Sequence, residues 1–264
     1  MGTLRLGGVT KSFEAKHGSR RVLDGIDLLV PSGELVVILG PSGCGKTTLL
    51  KVIAGLVRPD SGDYQLTLDG LPIRGPSPER SIVFQAYTSF PWLTARENVR
   101  FGLQFLGIPE AEQYARADAF LSQVGLSAFR DDYPRDLSGG QQQRIAIART
   151  LAAEPKIILM DEPFAALDAQ TRESMQDDLL NLQRRTKSTI LFVTHDIAEA
   201  AHLGDRVLVL SRIPARITGS FDLRAERAKV RVAAGASDED DRELFRNNPR
   251  FMELQREFRI ALSP

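Results

Sequence analysis

Cysteine is almost absent from this chain: Cys44 stands alone among 264 residues. A single thiol excludes an internal disulfide framework and suits a reducing compartment. Net charge is absent too, with 34 basic residues against 34 acidic ones, so no global field recruits nucleic acid or anionic lipid. No apolar run approaches the ~18 residues of a membrane span, and the first residues, MGTLRLGGVTKSF, lack the apolar centre of a signal peptide. Internal repeats and low-complexity segments are missing. What remains is 42% hydrophobic and 26% charged, enough to build a substantial α/β core. The expectation is a soluble cytoplasmic protein that reaches a membrane only through a partner.

The most informative stretch is Gly40-Pro41-Ser42-Gly43-Cys44-Gly45-Lys46-Thr47-Thr48, preceded by the apolar run Leu35 to Leu39 and followed by a second apolar segment, Leu49 to Leu56. Strand, glycine-rich loop and helix form the context in which G-x-x-x-x-G-K-[ST] is a phosphate site. Backbone N–H groups of the loop form an anion nest, glycines allow close approach, and the helix dipole adds its positive end. Lys46 would reach the β/γ-phosphates of a nucleotide, and the Thr47 hydroxyl would hold Mg²⁺. Cys44 is read as a small filler of the loop rather than a reactive thiol.

Strands are expected at 3–13 and 21–30 around the polar turn Lys16-His17-Gly18-Ser19. The helix after the phosphate loop should run until Pro59 stops it. Tyr64 to Leu68 alternates as a half-buried strand ending at Asp69-Gly70, a loop covers Gly75 to Pro78, and Ser81 to Phe84 is a short strand. From Ala86 to about 155 the pattern is helical. Thr94-Ala95-Arg96-Glu97 has capping-box spacing, Glu110 to Val124 is closed by Gly125, and a third helix opens at Ser138. Strands return at Lys156 to Met160, Thr189 to Thr194 and Val207 to Leu210, with another over 216–223. A helix covers about 170–185, and the charged tail from Ser237 turns helical to Leu262. Strands separated by helices argue for a mainly parallel sheet.

Asp161 ends the apolar strand where a carboxylate can hold Mg²⁺, and Glu162 beside it can polarise a water in line with the γ-phosphate. Farther back lies Leu137-Ser138-Gly139-Gly140-Gln141, then Gln142-Gln143-Arg144. Ser138 can cap a helix whose third residue is Gln141, and the glycines expose its first N–H groups as a second phosphate-binding end. This stretch resembles the signature of ATP-binding cassette (ABC) ATPases.

The resemblance covers essentially the whole chain. It implies a P-loop NTPase fold of the RecA-like α/β class, with a mainly parallel sheet core, an antiparallel β subdomain and an inserted helical subdomain. The expected arrangement is one ABC domain over 1–264: core about 1–85 and 156–223, helical subdomain about 86–155, helical extension about 224–264. It implies a head-to-tail homodimer in which Ser138, Gly139, Gly140 and Gln141 of one copy meet the γ-phosphate held by the other. Phe13 stands where the family usually has a Tyr stacking on adenine; the ring is kept and the hydroxyl lost. Gln85 matches the glutamine that reaches Mg²⁺ and the attacking water. Asp168, in Ala166-Leu167-Asp168, matches the loop crossing the dimer interface, with Ala165 where Gly or Ser is frequent. His195 matches the γ-phosphate histidine, whereas His17 and His202 read as surface or packing residues.

Pro78-Glu79-Arg80, Val83-Phe84-Gln85, Phe90-Pro91-Trp92-Leu93-Thr94, Glu97-Asn98-Val99 and Asn248-Pro249-Arg250-Phe251 resemble the ATPase subunits of nitrate, sulfonate and taurine importers. That branch implies permease subunits docked through Phe90 and Trp92, a periplasmic binding protein as an indirect partner, no nucleic acid, and a peripheral place on the cytoplasmic face of the inner membrane. The alternative is an ATP-operated clamp, or the ATPase of another ABC system such as an exporter or one with a non-transport partner. A third reading, a metabolic kinase, predicts a phosphorylated product in place of free phosphate.

Overall fold

The computed structural model describes residues 3–15, 18–68, 71–72, 75–77, 79–85, 88–235 and 241–262. Lys16-His17, Asp69-Gly70, Pro78, Ala86 and the start of the charged tail therefore lie outside the described residues. In chain order the strands are β1 Leu4–Ala15, β2 Gly18–Val30, β3 Leu35–Leu39, β4 Ser61–Leu68, β5 Leu71–Pro72, β6 Arg80–Val83, β7 Ile157–Asp161, β8 Thr189–Thr194, β9 Arg206–Leu210 and β10 Ile217–Asp222. The helices are α1 Lys46–Ile53, α2 Ala95–Leu103, α3 Glu110–Gln123, α4 Gly139–Ala152, α5 Ala169–Thr186, α6 Ile197–Leu203, α7 Leu223–Ala234, α8 Asp241–Arg246 and α9 Pro249–Leu262. Residues 1–77 with 189–264 form one compact unit, and 78–188 form another.

The first unit holds two sheets. β1 pairs antiparallel with β2 and, on its other side, with β4, so Leu4 faces both Val30 and Leu66. The second sheet has β3 between β8 and β9, parallel to both, and β10 antiparallel at the edge. Every residue of β3 is fully buried, which is why its sequence is a continuous apolar run rather than an alternation. β2 does alternate toward its end: Ile26, Leu28 and Val30 are buried and the residues between them exposed.

α1 is shorter than the sequence suggested. It stops at Ile53, and Gly55 at φ 77° carries the chain out of the helix, with Leu56 and Val57 donating back to the Lys51 carbonyl. Pro59 thus lies beyond the true stop. A Cβ at Gly55 would lie 2.6 Å from the Gly75 carbonyl carbon, so the glycine is demanded twice, by φ and by contact.

The tail is bolted to this unit by charge and by rings. Buried Asp205 accepts from Arg227 at 2.7 Å, from Arg242 at 2.9 Å and from the Leu35 N–H at 3.0 Å at the start of β3. Glu34 pairs with Arg206 and Arg224, and Phe258 of α9 packs on Phe221 at 4.9 Å. Such buried pairs specify one docking geometry more surely than they add stability.

In the second unit β6 and β7 run parallel, with Val83 level with Met160. α2, α3 and α4 pack on one another, burying Val99, Leu103, Ala117, Leu121, Ile145 and Ala148. Between 88 and 156 the described residues contain no strand; the capping box expected at Thr94 is formed, and the cap expected at Ser138 is completed to a capping box by Gln141.

Candidate functional site

The first unit carries the phosphate loop. α1 begins at Lys46 behind Gly45, whose φ of 114° is open only to glycine and whose Cβ, if present, would lie 2.9 Å from Val22. Gly43 is also left-handed, at φ 73°. No side chain caps α1, so the loop's backbone donors are its N-terminal surface. Lys46 is buried and donates to the Gly40 and Pro41 carbonyls at 2.9 and 3.0 Å, which folds its ammonium back over the loop. Ser42 is exposed, Thr47 and Thr48 are half-buried, and Cys44 is buried as the expected filler: a Cβ on Gly40 would meet its sulfur at 2.9 Å.

The same unit sets His195 beside this loop. Gly40 donates to the carbonyl of Thr194, the last residue of β8, and exposed His195 follows. Asp196 then caps α6 by accepting from Ala198 and Glu199. Phe13 lies on β1 opposite Arg20, 43% exposed, so it is not a core ring. Two residues beyond Arg20 a bulge in the β1–β2 ladder turns Val22 onto Gly45. Ring and loop are thereby joined along β2 within one unit.

The second unit carries the acidic groups. Because β6 and β7 are parallel and in register at Val83 and Met160, the residues two steps on, Gln85 and Glu162, emerge together. Gln85 Nε2 donates to Glu162 Oε2 at 3.4 Å. Asp161 is buried at the end of β7. Glu162 adopts φ 46°, a left-handed conformation that costs a non-glycine residue roughly 1–2 kcal/mol. Strain of this kind aims a side chain where the regular strand would not.

In the same unit Ser138 caps α4: its Oγ accepts from Gln141 N at 3.3 Å, and Gln141 Oε1 accepts from Ser138 N at 2.8 Å. Ser138 is exposed and both glycines after it are half-exposed. A Cβ at Gly140 would lie 3.6 Å from Leu167, so the signature turn rests on the Ala166-Leu167-Asp168 loop. Arg172 pins that loop by donating to the Leu167 carbonyl at 2.8 Å, and Asp168 caps α5 through Thr171 N at 3.0 Å. The Thr171 N–H holds the Asp168 carboxyl below the ordinary aspartate value.

Of the two aromatics expected at a docking groove, Trp92 is 69% exposed while Phe90 is half-buried. Phe90 lies between the Arg149 guanidinium, 4.5 Å from its centroid, and Phe101 at 4.6 Å; Phe105 continues the band and is 69% exposed. Asn98 entered the sequence reading only within Glu97-Asn98-Val99, with no role given, and Arg149 was not singled out. Fully buried Asn98 donates to the carbonyls of Phe90, Leu93 and Thr94 and accepts from Phe90 N, knotting the whole turn. Arg149 donates to Asn98 and to the Thr88 carbonyl, and burial pushes its guanidinium down to about 10. An arginine inside the apolar run Ile145 to Leu151 was the available signal.

Phosphate loop, strand-end carboxylates and signature helix start define the class: a P-loop nucleotide-binding protein. The family comparison narrows it, matching residues 23–165 to the ABC transporter family. The chain is 49% identical over 230 residues to the ABC transporter ATP-binding protein MJ0412 of Methanocaldococcus jannaschii, covering 87% of this chain and 85% of the relative. It is 46% identical to the nitrate import ATP-binding protein NrtD of Synechocystis sp. (81% of this chain, 80% of the relative). It is also 46% identical to the taurine import ATP-binding protein TauB of Yersinia pestis (79% and 81%). Among solved structures, the ATP-binding cassette MJ0796, a dimer bound to ADP and Pi in a post-hydrolysis state, matches with TM-score 0.76 at 35% identity, over 84% of this chain and 99% of that one. This chain belongs to the ABC transporter family and is an ATP-binding, ATP-hydrolysing cassette.

Proposed function

We propose that the chain is the ATPase subunit of an importer for a small oxyanion such as nitrate, taurine or another sulfonate, working as a head-to-tail homodimer with ATP at the interface. The names of the nitrate and taurine import relatives support the importer assignment. The dimer rests on one observation: α4 opens with an exposed, capped, glycine-bearing turn built as a second phosphate end, in a compact unit other than the one that holds the phosphate loop.

In this reading Gly40 to Thr48 cradle the phosphates, Lys46 neutralises the β/γ-oxygens, and Phe13 stacks on the base. Glu162 accepts the proton of a water whose oxygen attacks the γ-phosphorus as the bond to the bridging oxygen breaks. ADP and free phosphate are the products. Gln85 orients that water, and His195 donates to the γ-phosphate. Ser138, Gly139, Gly140 and Gln141 of the second copy stabilise the charge spread over it, while Asp168 lies in the loop at the interface.

Thr47, Gln85 and Asp161 would hold Mg²⁺, an oxygen-seeking ion usually bound through one or two carboxylates, here Asp161, together with substrate phosphates. Mg²⁺, when bound, would offset charge on the β- and γ-phosphates.

No helix among the described residues is long and apolar enough to cross a membrane. By the importer reading, which the nitrate and taurine import relatives support, the chain would sit on the cytoplasmic face of the inner membrane through permease subunits, with Trp92 and Phe90 receiving a short permease helix. A periplasmic substrate-binding protein would be an indirect partner. Affinity purification in detergent from the native host tests this. Two integral membrane subunits should co-purify and be depleted by Trp92→Ala. Recovery of only a soluble or nucleic-acid partner would favour the clamp instead.

A further inference from the structure

Where β1 passes from Gly7 to Ser12, its ladder is irregular on both sides. Register shifts fall between Val9 and Lys11 and between Lys11 and Ser12 on the β2 side, and between Gly7 and Thr10 on the β4 side. One residue makes up the missing contacts. Asp60, in the turn that follows α1, donates its N–H to the Thr10 carbonyl at 2.9 Å. Its Oδ1 accepts from Lys11 Nζ at 2.7 Å and its Oδ2 accepts from Ser12 N at 2.5 Å. Next door, Ser61 Oγ and Thr10 Oγ1 share a hydrogen bond.

The next residue is Phe13. The ammonium that Asp60 holds lies 5.4 Å from its ring centroid, so Lys11 lies over the ring, which is 43% exposed. Asp60 thus acts on Phe13 twice: through the backbone at Ser12 and through a cation on the ring. The pair is part-exposed (17% for Lys11 and 40% for Asp60), so its role is geometric more than energetic. Both Asp60 and the phosphate loop flank α1, one at each end of the same short segment.

We propose that Asp60 is a positioning residue for the nucleotide base, setting the Phe13 ring through Lys11 and the Ser12 N–H. The inference rests on the reading of Phe13 as the base-stacking residue. It gives the turn after α1 a part in base affinity that the phosphates do not share.

Calorimetric titration of the full chain with MgATP and with inorganic tripolyphosphate, which has no base, separates these terms. Phe13→Ala should weaken ATP binding about tenfold, as loss of one stacking platform does, and leave tripolyphosphate unchanged. Asp60→Ala should weaken ATP about three- to tenfold, change tripolyphosphate less than about twofold, and add nothing further to Phe13→Ala. Asp60→Asn, which keeps an acceptor for Ser12 and loses the Lys11 charge pair, should fall between wild type and Asp60→Ala, and it carries the test if the alanine variant unfolds. The proposal is overturned if ATP and tripolyphosphate weaken equally, if ATP affinity is unchanged in both Asp60 variants, or if the double variant is fully additive. An unaffected Phe13→Ala would sink both the base-stacking reading and this one. A weakened Phe13→Ala beside unaffected Asp60 variants would sink only this one.

Discussion

α1 and α4 both start on glycine-bearing turns, yet their first N–H groups are satisfied in opposite ways. At α1 the N-cap is Gly45, left-handed and with no side-chain cap, and the Lys46 ammonium is folded back onto the loop's own carbonyls. At α4 the N-cap is Ser138, extended, with a reciprocal bond to Gln141. The first end is specified by backbone geometry and has no side-chain cap. The second is specified by side chains, is complete in itself, and lies on the surface. A ligand should therefore be gripped at α1 and only completed at α4.

The largest effect should come from the strained residue proposed as the general base, Glu162. Glu162→Gln keeps shape and the Gln85 contact while losing the proton acceptor. Turnover should drop by about 10²–10⁴-fold with ATP binding retained. Gel filtration with ATP should then show a dimer, because the ATP proposed to lie between the two copies is no longer hydrolysed. Normal turnover in a monomeric variant would refute the base assignment and, with it, the division of labour between the two helix starts.

The comparison is sharpened by changing each end in turn. Lys46→Ala should lower ATP affinity by about 10–100-fold, the loss of a charge-assisted phosphate contact. Ser138→Arg should leave affinity within about twofold and still stop turnover, because a bulky cation blocks closure onto a second copy. If both variants lose binding equally, α4 is part of the primary grip.

A smaller pair of effects concerns stability. Gly45→Ala places a Cβ at φ 114° and 2.9 Å from Val22, and should cost about 1–3 kcal/mol in denaturant unfolding. Ser138→Ala loses one cap and should cost about 1 kcal/mol. Equal and negligible costs would mean that neither turn is as constrained as its geometry indicates.

Legibility from sequence follows the same division. Features whose cause lies within five or six residues were readable: the phosphate loop between two apolar runs, the helix caps at Thr94 and Ser138, the continuous apolar strands β3, β7 and β8. Features caused from far away were not. The stop of α1 at Gly55 depends on Gly75 crossing it, the burial of Phe90 depends on Arg149, and the knot at Asn98 gathers carbonyls that no pattern announces. Asp60 read as an ordinary turn residue because its partners, Lys11 and Ser12, lie about fifty positions upstream. The pairing of Gln85 with Glu162 is intermediate. Both positions were expected to serve one water, but only the parallel register of β6 and β7 explains why they touch.

The last and smallest test uses a third helix start. Asp168 caps α5 as Ser138 caps α4, but with a carboxylate, so one cap titrates and the other does not. The Thr171 N–H bond stabilises the ionised form and lowers the pKa from its ordinary 3.8. For a depressed carboxyl the stabilisation is fully present above the unfolded value and is lost as pH falls through the folded one. The gap in thermal stability between wild type and Asp168→Asn should thus be flat above about pH 5 and shrink below about pH 4. The gap between wild type and Ser138→Ala should not change over that range, because neither a hydroxyl nor a carboxamide titrates there. A Ser138→Ala gap that closes in acid would point to a titrating group acting on the signature turn and would break the distinction between a self-contained α4 start and its ligand-facing counterpart at α1.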